Sequence, residues 1–176
     1  MSPPVRLTPA TEAEHPEIVA LTNWAFRGAG EVQSWNVEAL IAGERISEAT
    51  LREDLAASPR AHLLVWRDED GERLGHVWLE PDADGAWYLG MLTVRPDRQD
   101  QGLGRSLLTA SEDFARERGA GHIRMTVVDQ RETLIAWYER RGYVRTGETR
   151  PFPYDDGRVG TPKVPDLCFV VLERAI

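Results

Sequence analysis

Gln99-x-x-Gly102-x-Gly104 stands between a strand-like run that ends near Val94 and a helix-like run that continues to Arg118. A polar loop followed by two glycines at a helix start suits one kind of chemistry, the holding of a phosphate. A helix N-terminus leaves about four backbone N–H groups unpaired and carries partial positive charge. Glycines there let an anion approach the backbone with no Cβ in the way. Arg98 and Arg105 flank the stretch and can add charge-assisted contacts. The same residues also read as an ordinary glycine-rich start to a helix. Two other phosphate motifs are excluded. A P-loop needs Gly-Lys-Ser/Thr, and here Gly104 is followed by Arg105 and Ser106. A dinucleotide fingerprint needs a small residue three positions after Gly104, where this chain has Leu107.

Other chemistries find less support. His15, His62, His76 and His122 have no metal-ligand spacing, and with one cysteine no metal site is expected. No Gly-x-Ser-x-Gly elbow is present. Cys168 lies in the apolar run Leu167 to Leu172 and reads as a buried structural thiol. As a lone cysteine it implies no oxidising compartment.

The elements that must position the loop follow from hydrophobic periodicity. Val5 to Thr8 is a short extended start. Thr11-x-x-Glu14 fits a capping box, opening a helix with Ile18, Leu21, Ala25 and Phe26 on one face and Gly28 and Gly30 at its end. Two weaker helical patterns follow, about Asn36 to Ala42 and from Ser47 or Glu48 through Leu51 and Leu55. His62 to Arg67, Arg73 to Glu80 and Ala86 to Val94 read as strands joined by short Asp/Gly turns, an antiparallel meander. Gly102 to Arg118 predicts a helix with Leu103, Leu107, Ser111 and Phe114 on one stripe. His122 to Val128 is a strand, and Arg131 to Arg141 a helix stopped by Gly142. Tyr143 to Thr149 and Leu167 to Glu173 close the chain as strands, around a proline-rich loop over 150–166. This order predicts an α/β (α+β) fold, a single domain over 1–176 with a mixed sheet.

Composition bounds the answer further. The chain has 176 residues, 41% hydrophobic and 28% charged, as expected of an ordinary soluble globular domain. Its net charge of -8 argues against a nucleic-acid partner. No apolar run approaches the ~20 residues of a membrane span, and no signal segment is evident at Met1 to Arg6, so no membrane partner and a cytoplasmic location are expected. The charge is uneven. Residues 1–88 carry 7 arginines against 16 acids, whereas residues 89–176 carry 14 basic residues against 13 acids. The split either reflects solvated faces that happen to differ or an anion met by the second half.

Three matches in order and spacing carry a resemblance across Met91 to Gly147. They are Leu92-Thr93-Val94-Arg95-Pro96, Gln99-x-x-Gly102-x-Gly104, and Ala136-Trp137-Tyr138-Glu139-Arg140-Arg141-Gly142-Tyr143. The pattern resembles the GNAT superfamily of acetyl-CoA-dependent N-acetyltransferases. The resemblance implies a mostly antiparallel sheet of about seven strands flanked by helices. Residues 86–147 would form the acyl-CoA-binding core, and residues 1–60 variable acceptor-side helices. Acetyl-CoA would be the acyl donor and a small-molecule or peptide amine the acceptor, in a monomer or homodimer. Backbone of Leu92, Thr93 and Val94 would pair with the pantetheine arm like an added strand. Amides of Gln99, Asp100, Gln101, Gly102, Leu103, Gly104 and Arg105 would hold the pyrophosphate. The thioester would lie where the fourth and fifth strands splay apart, with Tyr138 near the sulfur as general acid.

Two departures from the pattern matter. Many members of the family have Asn seven residues before this tyrosine, contacting the cofactor; here the position is Arg131, which either reaches the cofactor phosphates or is a surface arginine at the helix start. The strand Ala86 to Met91 has no carboxylate to serve as base, which leaves Glu80 as first candidate and Asp129 as second. On the residues alone, Tyr138 is also readable as a packed helix tyrosine.

The loop Arg150 to Gly157 is aromatic, acidic and rigid, and in the resembled fold lies near the acceptor, with Trp35, Trp87 and Tyr88 as further walls. Prolines stiffening a surface loop would look the same. An acidic N-terminal half and loop suit a cationic amine. The two readings at this point are an amine acetyltransferase and a noncatalytic acyl-CoA-binding or sensing module.

Overall fold

Leu103, Leu107, Ser111 and Ala115 recur at helical spacing and are all buried, which fixes the face that the third helix turns to the sheet. The computed structural model describes residues 4–28, 34–99 and 101–176. In these, nine strands and four α-helices follow in the order β1 (Leu7–Pro9), α1 (His15–Arg27), β2 (Ile41–Ala42), α2 (Glu48–Ala57), β3 (His62–Arg67), β4 (Arg73–Pro81), β5 (Ala86–Val94), α3 (Leu103–Arg116), β6 (His122–Val128), α4 (Glu132–Glu139), β7 (Val144–Pro151), β8 (Thr161–Pro162) and β9 (Cys168–Ala175). Seven of the strands form one sheet in the order β1-β3-β4-β5-β6-β9-β7, while β2 and β8 form a separate two-stranded ladder. Within the large sheet only the β5–β6 pair is parallel. This is the mixed, mostly antiparallel architecture expected.

Both sheet faces are covered. Along β3, Leu64 and Trp66 join the core shared with α3 and α4, while Leu63 and Val65 join the core shared with Ile18 of α1 and Leu51 of α2. Alternation along one strand thus feeds two layers, which explains its unbroken apolar run. Several helix starts and stops have a local cause. The Glu14 side chain accepts from the Thr11 amide at 2.7 Å, ahead of α1. Gly28 ends α1 in the left-handed region, and Gly142 does the same after α4. Ser47 caps α2 by accepting from the Thr50 amide at 3.1 Å.

One expected helix is absent. Residues 36–42 form turns and then β2, which pairs with β8. Val37, Leu40 and Ile41 mimic helical spacing, but tertiary contacts hold the segment: Lys163 N donates to Leu40 O at 2.8 Å and the Glu38 amide to Phe26 O at 2.9 Å. The 150–166 loop correspondingly contains β8, which the sequence does not announce. Cys168 is half-buried rather than in the core, because it is the first residue of β9, paired with Pro151 and beside Asp129. Gly30 and Asp100 lie outside the described residues.

The site is positioned by a divergence. β5 and β6 pair only over Ala86↔His122, Trp87↔Ile123 and Tyr88↔Arg124. Beyond that, β5 stays with β4 as far as Val94, and β6 stays with β9 as far as Val128. The β4–β5 register shifts between His76 and Trp78, and Met91 takes a positive φ of 50°. Such a bulge bends a strand and re-aims its residues. It turns the second half of β5 away from β6 and leaves that edge without a paired strand. Gly75 of β4 permits the approach on the other edge, since a Cβ there would overlap the Thr93 carbonyl oxygen.

Candidate active site

Gly102 caps α3 with φ 74°, a conformation that glycine adopts without strain. The first amide bond of α3 runs from Ser106 to Gly102 O at 3.0 Å. The amides of Leu103, Gly104 and Arg105 therefore have no partner inside the helix. They border a cleft of about 370 Å3, together with Leu92 and Val94 of β5 and Trp137 and Tyr138 of α4. Thr93 is turned away; it is buried, aligned with His76, and its hydroxyl donates to Met91 O at 2.9 Å. Gln99 also lines the cleft, and its side chain ties in the segment after α1, accepting from the Trp35 amide at 3.1 Å and donating to Ser34 Oγ at 3.2 Å. Gln101 is exposed.

Three arginines turn to this cleft. Arg105 and Arg140 line it with no acidic partner among the described residues. Arg141 lines it as well, with its guanidinium 3.6 Å from the Trp137 ring centroid and its Nη1 donating to Trp137 O at 2.7 Å. Its Nε is buried with no hydrogen-bond partner. Burial, and then the charges of Arg140 and Arg105, pull its pKa down. Like charges held together with an orphaned donor mark a place for an anion. Arg98 is not part of this group; it pairs with Glu72 at 3.1 Å. Arg140 and Arg141 were missed in the sequence because basic residues in a last helical turn read as dipole-complementing surface groups.

The divergence of β5 and β6 encloses a second chamber of about 280 Å3. Tyr88 to Leu92 form one wall, Met125 to Val128 another, and Phe152, Pro153 and Phe169 close the far side. Tyr138 lines both the cleft and this chamber. Its ring is 6% exposed and packs edge-on against Trp137 and Tyr143. Burial raises its pKa above the ordinary phenol value; the charge of Arg131 partly opposes this.

The other candidates fall in different places. Arg131 does not line the cleft that holds the cradle. It lines the chamber, and its Nη2 donates to Asn36 O at 2.9 Å and to Asn36 Oδ1 at 2.6 Å. Glu80 lines a neighbouring cavity, which shares Tyr88, Thr126, Pro153 and Phe169 with the chamber but not Tyr138. Asp129 is engaged with β9, accepting from the Cys168 amide at 3.2 Å. Of the expected aromatic walls, Tyr88 and the Phe152 loop stand at the chamber, Trp35 borders the cleft instead, and Trp87 is buried against His62. Asn36, Glu38 and Arg45 line the chamber and carried no signal in the sequence. Among the described residues no group of side chains could hold a metal ion, and no helix is long and apolar enough to cross a membrane.

Known proteins share the sequence pattern and the fold. A mycothiol acetyltransferase from Clavibacter sepedonicus is 31% identical over 137 residues, covering 75% of this chain and 45% of its own length. The corresponding protein of Beutenbergia cavernae is 34% identical over 135 residues, 76% of this chain and 42% of its own. The chain thus spans less than half the length of these curated relatives. In fold, it is similar to a ribosomal-protein-alanine N-acetyltransferase from Brucella melitensis, with TM-score 0.68 and 20% identity over 97% of this chain and 99% of that one. It is similar also to a phosphinothricin acetyltransferase from Sinorhizobium meliloti in complex with acetyl-CoA, with TM-score 0.66 and 14% identity over 98% and 89% of the two chains. Residues 29–143, more than half of the sequence, match the model of the Acetyltransferase (GNAT) family, and the chain belongs to that family.

Proposed function

We propose that this protein transfers an acetyl group from acetyl-CoA to a primary amine by direct attack, with Tyr138 as general acid. The observation that carries the reading is the position of Tyr138, which borders both the arginine-lined cleft and the chamber. A donor in one and an acceptor in the other would meet beside its hydroxyl. The names of the relatives, mycothiol and ribosomal-protein-alanine acetyltransferases, support acetyl transfer; their acceptors remain theirs.

The residues fit the donor. The edge of β5 at Leu92 and Val94 has no paired strand and can add an amide-bearing arm as a further strand. The amides at the start of α3, with Arg105, Arg140 and Arg141, suit a pyrophosphate. Acetyl-CoA supplies the acyl group already activated as a thioester. The protein holds it, orients it and manages two protons.

The first proton belongs to the acceptor, which must react as a neutral amine. A lysine-type amine has pKa ~10.4 and an α-amino group ~7.7–8.0. The one carboxylate lining the chamber among the described residues is Glu38, and it is held by Arg27 at 2.6 Å and Arg131 at 3.7 Å. Arg45 and Arg131 instead lower the pKa of an ammonium beside them by like-charge repulsion. The amine can then lose its proton to water. A base role for Glu80 would run through water past Tyr88. The second proton passes from Tyr138 to the departing sulfur, and the tyrosinate regains one from the attacking nitrogen, which sheds an N–H proton as the amide forms. The raised pKa of Tyr138 keeps it in the donor form. An ordinary thiol has pKa ~8.5, so the transfer is uphill unless coupled to C–S cleavage. A contribution near the low end of the ~10²–10⁴-fold range for positioned acids follows.

Thiol release from acetyl-CoA across a panel of amines tests the reading. Acceptor-dependent release is expected. Tight CoA binding without release from any amine would sink it in favour of a binding module.

A further inference from the structure

The chamber at the β5–β6 divergence carries an excess of positive charge although the whole chain carries -8. Arg45 lines it half-buried, and its guanidinium makes no ion pair or hydrogen bond among the described residues. Its nearest aromatic contact is Phe26, with 5.6 Å between the guanidinium carbon and the ring centroid. The backbone that carries it is fixed. Asn23 of α1 accepts from the Arg45 amide at 2.7 Å and donates to Ile46 O at 2.9 Å. The one carboxylate of the chamber, Glu38, is already bound by Arg27 and Arg131. Two guanidiniums, Arg45 and Arg131, thus line the chamber against one carboxylate, which Arg27 also holds from outside the lining. Most of the remaining wall is apolar or aromatic, which keeps water from screening the imbalance.

We propose that the amine acceptor brings its own negative charge, a carboxylate or a phosphonate of amino-acid size, and that Arg45 binds that group. The inference rests on the acetyltransferase reading for the amine and on the chamber's charge for the anion. A guanidinium carried on a fixed backbone offers a planar fork that matches either oxyanion. A chamber of about 280 Å3 suits a small zwitterion. It disfavours polyamines and amino-sugar antibiotics, whose several ammonium groups would meet Arg45 and Arg131.

The test uses the full chain with three matched sets of amines: α-amino acids, their carboxamides, and the corresponding monoamines lacking the acid. Aminoalkylphosphonates form a further arm that separates the two oxyanions. The expected result is a preference of about ten-fold or more in kcat/KM for an acid-bearing amine over its carboxamide. Arg45→Gln should collapse that preference toward one, chiefly through KM, while CoA affinity holds. Equal or faster turnover of the carboxamides or monoamines overturns the proposal, as does a preference that survives Arg45→Gln. If no amine is turned over, calorimetric titration of the same ligands into the CoA-loaded protein decides separately. Arg45-dependent binding of the acids would then sustain the anion site while the transfer reading fails. Binding that ignores the acid group would end both.

Discussion

Arg131, at the start of α4, grips Asn36 through both its backbone and side-chain oxygens, at 2.9 and 2.6 Å. The guanidinium therefore braces the segment after α1 at the chamber, where it also pairs with Glu38. Arg131→Ala removes two charge-assisted bonds, each worth about 1.5–3 kcal/mol when buried partners are left behind. It should raise the acceptor KM several-fold and leave the CoA dissociation constant within about two-fold. Initial-rate kinetics and CoA calorimetry on the same variant check this. A CoA affinity that falls while the acceptor KM holds would instead assign Arg131 to the phosphates, one of the two readings that the sequence leaves open.

The cradle makes a second prediction. Gly102→Glu forces a side chain into the left-handed region, at about 1–2 kcal/mol, and sets a carboxylate where an anion should bind. CoA affinity should fall about 100-fold or more. Arg141→Ala removes one cation and a partner-seeking Nε, and should weaken CoA about 5- to 20-fold. Titrations at two ionic strengths should show a shallower salt dependence for the variant than for the parent. Unchanged affinity in Gly102→Glu would remove the cradle from CoA binding.

Much of the frame was legible in the sequence. His62 to Arg67 and His122 to Val128 are strands over the same residues that alternation and turn chemistry marked, because local pattern and tertiary packing agree there. The 36–42 segment was not legible, because its conformation is imposed by partners distant in sequence: Arg131, Lys163 and the β8 strand. The cleft was readable because an α3 start and a β5 edge are contiguous along the chain. The chamber was not, since its charge depends on which side chains turn inward. The acids of the N-terminal half suggested a cationic acceptor, yet Glu53 and Asp54 are spent on Arg158 outside it, and Glu38 is enclosed by arginines.

His76 makes stability depend on pH. It is fully buried on β4, and its Nε2 lies 2.8 Å from Thr22 Oγ1, which itself donates to Ile18 O. The hydroxyl thus accepts from a neutral imidazole with hydrogen on Nε2. Burial, and then the charge of Arg73, bring its pKa from 6.5 to about 3. Between these values the unfolded chain binds a proton that the folded chain does not. Stability is therefore full above pH 6.5 and falls as pH drops, with a slope approaching about 1.4 kcal/mol per unit. Urea unfolding between pH 7 and 4.5 should record at least that slope, since His62, its pKa lowered by burial and Arg118, adds in the same direction, and His76→Asn should remove the larger part. The window avoids Glu14, where burial raises the pKa but the Thr11 amide, Arg67 and Arg73 outweigh it and hold it at about 2, so its contribution disappears only at lower pH.

Tyr138 supplies the most direct test of mechanism. Tyr138→Phe keeps the ring that packs against Trp137 and Tyr143 and removes only the hydroxyl. CoA affinity and melting temperature should change little, while kcat falls about 10²-fold. Glu80→Gln should cost far less, under about ten-fold, because Glu80 lines a cavity that Tyr138 does not border. The pH profile carries the finer signature. For an α-amine acceptor, kcat/KM should climb with pH as the ammonium loses its proton and level off above ~8. Burial holds the phenol of Tyr138 above its ordinary value, so no descending limb from it should appear up to pH ~10. A fall in rate between pH 8 and 10 that vanishes in Tyr138→Phe would show a phenol of ordinary acidity. Turnover equal to that of the parent in Tyr138→Phe would remove the residue from the chemistry altogether.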